Sequence, residues 1–373
     1  MIRYLTGGES HGKALVVLID GVPAGLSLST ADIDPELKRR QEGYGRGGRM
    51  LIEKDAVEII SGLRNGKTTG SPITLMIANA DFKNWENKII SPITMPRPGH
   101  ADLSGFLKYG LQDIRDVLER ASARETAART AAGAVCKKLL KEIGIDIFGY
   151  VTQIAGIKAK TSGVIQKSVI ESSPLRTADK KAESKMIAAI NKAKKNGDSI
   201  GGVFEIRATN VPAGLGSYTQ WDKKLDARLA GGLMSLQAIK GVEIGLGFEA
   251  AEKPGSKVHD EIFYNKSGYF RKTNNCGGIE GGMSNGSDII VKAAMKPIAT
   301  LYKPLNSIDT KSKKKVKATV ERSDTCAVPA ACVVGEAIVA FEIANCVTEK
   351  FGGDSLLDIK TSLKAYLKRI KGC

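Results

Sequence analysis

Arg39-Arg-Gln-Glu-Gly-Tyr-Gly-Arg-Gly-Gly-Arg49 packs four arginines and four glycines into eleven residues. A glycine-rich loop invites a dinucleotide-binding reading, in which the glycines follow a strand and open a helix. The residues before it reverse that order. Thr30-Ala-Asp-Ile-Asp-Pro-Glu-Leu-Lys-Arg-Arg40 has the cap and first-turn signals of a helix. The glycines at 43, 45, 47 and 48 therefore end a helix instead of beginning one, and a Rossmann-type doubly wound sheet is excluded.

Working outward, short apolar runs alternate with amphipathic stretches. Ala14–Ile19, Val57–Gly62, Ser71–Ala78, Gly149–Ile157, Val203–Asn210, Gly241–Phe248 and Ser287–Met295 read as strands. Ile114–Ile143, Ala178–Asn196, Asp222–Ile239, Val328–Phe351 and Ser355–Ile370 read as helices, the first as one continuous Ala-rich element. No strict βαβ rhythm, fixed-period repeat or low-complexity linker divides the chain. The expectation is one large α+β domain over 1–373, with glycine-rich loops converging on a site.

Composition narrows the function. Of 373 residues 41 are glycine, well above the average of roughly 7%. A net charge of +16 favours anionic partners. Lysines crowd into runs such as Lys311-Ser-Lys-Lys-Lys-Val-Lys317, which read as solvated faces, whereas arginines sit beside glycines. A guanidinium pairs with phosphate or carboxylate through two parallel hydrogen bonds, so Arg40, Arg46 and Arg49 suggest an oxyanion pocket. A nucleic-acid strip would want stacking aromatics, and only Tyr44 is near. Six cysteines show no C-x-x-C pair, and no metal site is expected. No apolar signal core is read at the N-terminus and no apolar run of membrane-spanning length, so a reduced, cytoplasmic, soluble protein is expected.

The chain has three histidines. His11 lies in Gly7-Gly-Glu-Ser-His-Gly12 and His100 in Met95-Pro-Arg-Pro-Gly-His-Ala-Asp102, both in turn-forming backbone where packing does not demand an imidazole. His259 lies among charges and is given no role. Gly8-Glu-Ser-His-Gly12 formally matches the G-x-S-x-G of serine hydrolases, but a strand-like run follows Ser10 where that motif needs a helix. Arg120-Ala-Ser-Ala-Arg-Glu-Thr-Ala-Ala-Arg129 fits exposed salt-bridging positions or, because small residues separate its arginines, close approach by a flat ligand. Asp324 fits either a helix N-cap or a site carboxylate, and Cys326 reads as a small buried hydrophobe.

Together these segments resemble the chorismate synthase family. The resemblance rests on GESHG at 8–12, DGVPAG at 20–25, RRQEGYGRGGR at 39–49, TTGSPI at 68–73, RPGHAD at 97–102, RASARETAARTAAGA at 120–134, LMSLQAIKGVEIGLGF at 233–248, NNCGGIEGGMSNG at 274–286, KPIAT at 296–300 and ERSDTCAVPA at 321–330. The chain resembles one bacterial subgroup; others have glycines where Val117, Leu118 and Glu119 stand, and Cys276 occupies a position that is usually a small residue.

The resemblance implies helices sandwiched between antiparallel sheets and a homotetramer. It implies a lyase of the shikimate pathway that removes phosphate from 5-enolpyruvylshikimate 3-phosphate by 1,4-anti elimination, giving chorismate for aromatic amino acid biosynthesis. The cofactor implied is reduced FMN, with NADPH as the source of reducing equivalents in some relatives. By motif match, His11, His100 and Asp324 would be catalytic. Ser10, Arg40, Arg46, Arg49, Arg129 and Arg322 would bind substrate. Arg120, Ala121, Ser122, Gln237, Ala238, Gly281, Lys296, Pro297, Ile298, Ala299, Thr300 and Arg322 would bind the flavin. Neither nucleic acid nor membrane is implied as a partner.

Overall fold

The computed structural model describes residues 1–48, 52–88, 90–161, 165–266 and 268–371. Arg49 lies outside the described residues. Two antiparallel sheets form the outer layers. The first comprises β1 (Arg3–Gly7), β2 (Ala14–Asp20), β3 (Val57–Ile59) and β4 (Ile73–Ala78) in the order β1-β2-β4-β3. The second comprises β5 (Asp146–Ile154), β6 (Ile157–Lys158), β7 (Gly202–Thr209), β8 (Ile239–Ile244) and β9 (Ile289–Met295) in the order β8-β9-β7-β5-β6. The main helices are α1 (Thr30–Gln41), α2 (Asp102–Tyr109), α3 (Ile114–Ala121), α4 (Thr126–Lys141), α5 (Lys180–Lys195), α6 (Leu225–Met234), α7 (Val328–Phe351) and α8 (Leu356–Lys371).

Alternation explains the sheets. Leu15, Val17 and Ile19 of β2 and Ile73, Leu75 and Ile77 of β4 are buried on one face, and the register sets Val17 opposite Leu75. That face packs on α4. In the second sheet Phe204, Ile206 and Ala208 of β7 and Ile289, Val291 and Ala293 of β9 are buried, with Val291 opposite Ile206, and α7 lies against β5 and β7. α4 and α7 then pack on each other. The layering is sheet, helix, helix, sheet, as expected; the main hydrophobic core runs from Ile2 to Leu363, and Ile93, Ile114 and Leu118 form a small separate cluster.

Small residues make the double helix layer possible. A Cβ built on Gly133 of α4 would stand 2.2 Å from the Ala337 Cβ of α7. α7 is mostly apolar because most of its surface is enclosed. Here the sequence reading needs correction: α7 is long and apolar enough to cross a membrane, but 89% of the qualifying window is buried within the fold, which marks a core helix.

A second correction concerns residues 114–143, expected as one helix. It is broken: α3 ends at Ala121, a short 3-10 turn covers Ala123–Glu125, and α4 begins at Thr126. Ser122 sits in extended backbone and its hydroxyl accepts from the Arg124 N–H, the local competition by which serine interrupts helices.

Candidate active site

The break at Ser122 opens a cavity of about 620 Å³ beside the first turns of α7. Its wall is assembled from distant segments: Ser10 and His11 between β1 and β2; Arg40 near the end of α1, with Arg46 and Gly47 beyond it; Arg97 and Gly99 to Ala101 before α2; Leu118, Ala121 to Arg124 and Thr126; Leu236 to Ala238 and Lys240; Met295, Lys296 and Ile298 to Thr300; and Glu321 to Asp324 with Ala327. The two loop histidines thus reach one cavity from positions 89 residues apart in the chain.

Each imidazole is backed by a carboxylate. His11 Nδ1 lies 2.7 Å from Glu119 Oε1, and its backbone N–H donates to Glu119 Oε2 at 2.7 Å. Its ring stacks on Trp85 with centroids 4.0 Å apart, and Nε2 is 3.9 Å from Asp81 Oδ2. His100 Nδ1 lies 2.5 Å from Asp102 Oδ1. The Arg97 guanidinium grips both Asp102 oxygens, through Nε at 2.8 Å and Nη2 at 3.0 Å, and its Nη1 donates to Thr300 Oγ1 at 2.8 Å. Burial alone would raise the Asp102 pKa; hydrogen bonds from His100 and Arg97 outweigh it and hold the carboxyl well below its usual range. Glu119 is likewise lowered, burial being overcome by the hydrogen bonds from His11.

The cationic side is a set of pairs. Arg46 Nη1 meets Asp324 Oδ2 at 2.8 Å, while the Gly47 N–H donates to Asp324 Oδ1 at 2.6 Å. Asp324 therefore ties down the glycine loop and is not the helix N-cap, which is Ala327. Arg322 donates to Asp81 at 2.7 Å and remains half exposed. The Lys296 ammonium donates to the Gly99 carbonyl. Arg40 is only 3% exposed and bonds Thr126 Oγ1, Asp55 and the Ala123 carbonyl. Burial pushes its pKa down to about 10, Asp55 opposing that shift and the neighbouring Arg124 adding to it. Arg124 is not at an exposed salt-bridging position: it is buried and shares Asp55 with Arg40. Cys326 is buried, and burial pushes its thiol up to about 11, which suits a packed hydrophobe.

Among the described residues the cavity gathers His11, His100, Asp324, Ser10, Arg40, Arg46, Arg322, Ala121, Ser122, Gln237, Ala238, Lys296, Ile298, Ala299 and Thr300. Arg129, Arg120, Pro297 and Gly281 lie outside its wall. Arg129 pairs with Glu125 at 3.0 Å, Arg120 holds the carbonyls of Thr6 and Gly8, and Gly281 sits in a separate hairpin between Ile279–Glu280 and Met283–Ser284. Sequence reasoning missed Glu119, Asp81 and Trp85 as neighbours of His11. None is near it in the chain, so no spacing signal exists. Asp102 was legible, two residues after His100. The hydrolase alternative fails on topology: Ser10 lies in a loop joining antiparallel β1 and β2, and its hydroxyl donates to Ser122 Oγ at 3.1 Å.

Ala238 adopts φ +67°, a left-handed conformation costly for a residue with a Cβ, and it lines the cavity. Next to it, Gln237 Oε1 is buried with no hydrogen-bond partner among the described residues. Strain and an unsatisfied acceptor in one wall are marks of a binding site.

The family model described as "Chorismate synthase" matches residues 2–348. The chain belongs to the chorismate synthase family. A chorismate synthase of Syntrophotalea carbinolica is 56% identical over 378 residues, covering 98% of this chain and 97% of that one. One from Geobacter sulfurreducens is 54% identical, with both chains covered in full. A solved structure titled "Crystal Structure of Chorismate Synthase" superposes with a TM-score of 0.83 at 44% identity, covering 100% of this chain and 99% of the other. Membership makes the chain an enzyme, a lyase of aromatic biosynthesis acting on a small molecule, and assigns its α+β sandwich to the chorismate synthase fold.

Proposed function

We propose that the chain converts 5-enolpyruvylshikimate 3-phosphate to chorismate by 1,4-anti elimination of phosphate, with reduced FMN beside the substrate in the cavity. The observation that carries the reading is one cavity holding two carboxylate-backed imidazoles together with Arg40, Arg46, Arg97, Arg124, Arg322, Lys240 and Lys296. The substrate has two carboxylates and a phosphate, and such a cationic wall suits a polyanion.

The wall also fits a flavin. Ala121, Ser122, Ala123, Ala238 and Ala299 leave room for a flat ring, and the orphaned Gln237 Oε1 is an acceptor that a ring N–H can satisfy. When bound, reduced FMN supplies transient electron donation to a reaction that is redox-neutral overall. Arg46, Arg322 and Lys296 hold the substrate anions. His100, oriented by Asp102, donates a proton to the departing phosphate, a contribution worth roughly 10²–10⁴-fold. His11 holds a proton on the cofactor side of the cavity, and Asp324 assists removal of the proton that leaves the substrate. The reading takes the whole chain as one functional unit and extends to a homotetrameric, cytoplasmic enzyme, with NADPH-linked flavin reduction as its source of electrons.

The test is anaerobic turnover with photoreduced FMN, following phosphate release and chorismate absorbance, and a parallel arm with oxidised FMN and NADPH. Phosphate release in the first arm is expected. Its absence with verified reduced flavin rejects the activity; silence in the second arm alone rejects only self-reduction. His100→Ala is expected to slow turnover by about 10²-fold or more while flavin affinity stays nearly unchanged.

A further inference from the structure

Glu119 makes an unusual double contact. Both of its oxygens are used on one residue: Oε2 accepts the backbone N–H of His11 and Oε1 faces Nδ1 of the same residue, each at 2.7 Å. The carbonyl of Glu119 also accepts the Ser10 N–H at 3.0 Å, so the end of α3 clamps the loop between β1 and β2 at three points. Trp85 holds the ring plane by stacking at 4.0 Å, and the Arg115 guanidinium lies 5.3 Å from the centre of that indole. Trp85 is itself tethered through Nε1 to Asp81, which also faces His11 Nε2. The imidazole is fixed in plane, in rotation and at one nitrogen.

We propose that Glu119 is a positioning residue that holds His11 with its proton on Nδ1, so that Nε2 is the nitrogen through which His11 exchanges a proton in the cavity. The inference rests on the proposed role of His11. Its physical basis is donor and acceptor bookkeeping. A carboxylate can only accept, so the nitrogen facing Glu119 must carry hydrogen. A neutral imidazole with its hydrogen on Nδ1 has its acceptor at Nε2.

The isosteric Glu119→Gln variant reverses this logic without emptying the site. The His11 backbone N–H can only donate, so the amide oxygen must turn to it. The NH₂ group then faces Nδ1, which has to become the acceptor, and the ring hydrogen moves to Nε2. Glutamine should therefore preserve the loop and switch the tautomer. Alanine at this position removes the constraint altogether.

With only three histidines in the chain, ¹⁵N-histidine labelling gives a readable spectrum, and His11→Ala assigns the signal. At a pH where the ring is neutral, the wild-type His11 signal should report hydrogen on Nδ1 and the E119Q signal hydrogen on Nε2. In turnover with reduced FMN, E119Q should lose about 10²-fold in kcat with KM within a few-fold, because the fold and the anion-binding groups are intact. Wild-type hydrogen on Nε2, or an unchanged tautomer in E119Q, overturns the proposal whatever the activities are. A fully active His11→Ala enzyme would instead sink the role of His11 and leave the tautomer result standing, so the two failures are distinct.

Discussion

Gly133→Ala separates what helix propensity expects from what packing dictates. On propensity alone, replacing a mid-helix glycine by alanine stabilises by about 1 kcal/mol. In the folded chain the new Cβ would lie 2.2 Å from the Ala337 Cβ, 2.4 Å from its Cα and 2.6 Å from its carbonyl oxygen. Carbon atoms rest at about 3.5 Å or more, so α4 and α7 would have to part by roughly 1.3 Å. Backbone atoms cannot swing aside as a flexible side chain can, so the cost lies at the upper end for overpacking, about 3 kcal/mol. The net is about 2 kcal/mol of destabilisation. At about 2.1 cal/mol/K per residue, the unfolding entropy of the chain is about 0.8 kcal/mol/K, which converts the loss into a melting point lower by about 3 °C. Turnover should fall as well, since Thr126 of α4 and Ala330, Ala331 and Val334 of α7 line the cavity. Gly231→Ala is the internal control. Gly231 is also helical, in α6, but its added Cβ meets nothing within 4 Å, so propensity alone should act and raise stability by about 0.5–1 kcal/mol. Matched thermal and urea unfolding of the two variants decides the matter. If Gly133→Ala melts at or above the wild type, the close packing of the central helices is wrong.

Two further outcomes follow from paired carboxylates. Glu336, fully buried in α7, meets Arg39 at 2.9 Å, Arg176 at 3.2 Å and Lys137 at 2.5 Å, and these cations overcome burial and hold its pKa well below the usual range. A lowered folded-state pKa contributes stability that is complete above the unfolded value near 4 and drains as pH falls toward the folded value. Urea midpoints should accordingly decline from pH 5 to pH 3, and Glu336→Gln should flatten that decline while costing about 3–5 kcal/mol at pH 7, because three cations lose their anion; an identical pH slope in both proteins refutes the assignment. Asp324→Ala removes the carboxylate assigned to the substrate proton and releases Arg46 and the Gly47 N–H together, and is expected to lower kcat by about 10²-fold or more and raise substrate KM about tenfold while shifting stability by only about 1–3 kcal/mol. Unaltered steady-state kinetics would detach that loop from the site.

Much of this protein was legible in one dimension because the relevant physics is local. Short apolar runs located β2, β4 and β9 and alternation located β7, and the order helix-then-glycines at 30–49 ruled out a dinucleotide fold before any contact was known. The glycine and proline setting of His11 and His100 marked both as site residues, and both line the same cavity. β1 escaped because Arg3–Gly7 is half exposed along its length and carries no apolar run. What pairs with each imidazole, that Arg40 and Arg124 share a buried Asp55, and that Asp324 grips the Gly47 loop were decided only by tertiary structure. The reason is one of range. Chain order dictates which residues can bend, alternate or cap, because those depend on neighbours a few positions away. A carboxylate selects its partner through space, and Glu119 reaches His11 only after the sheets and helices have packed to bridge a separation of 108 positions in the chain.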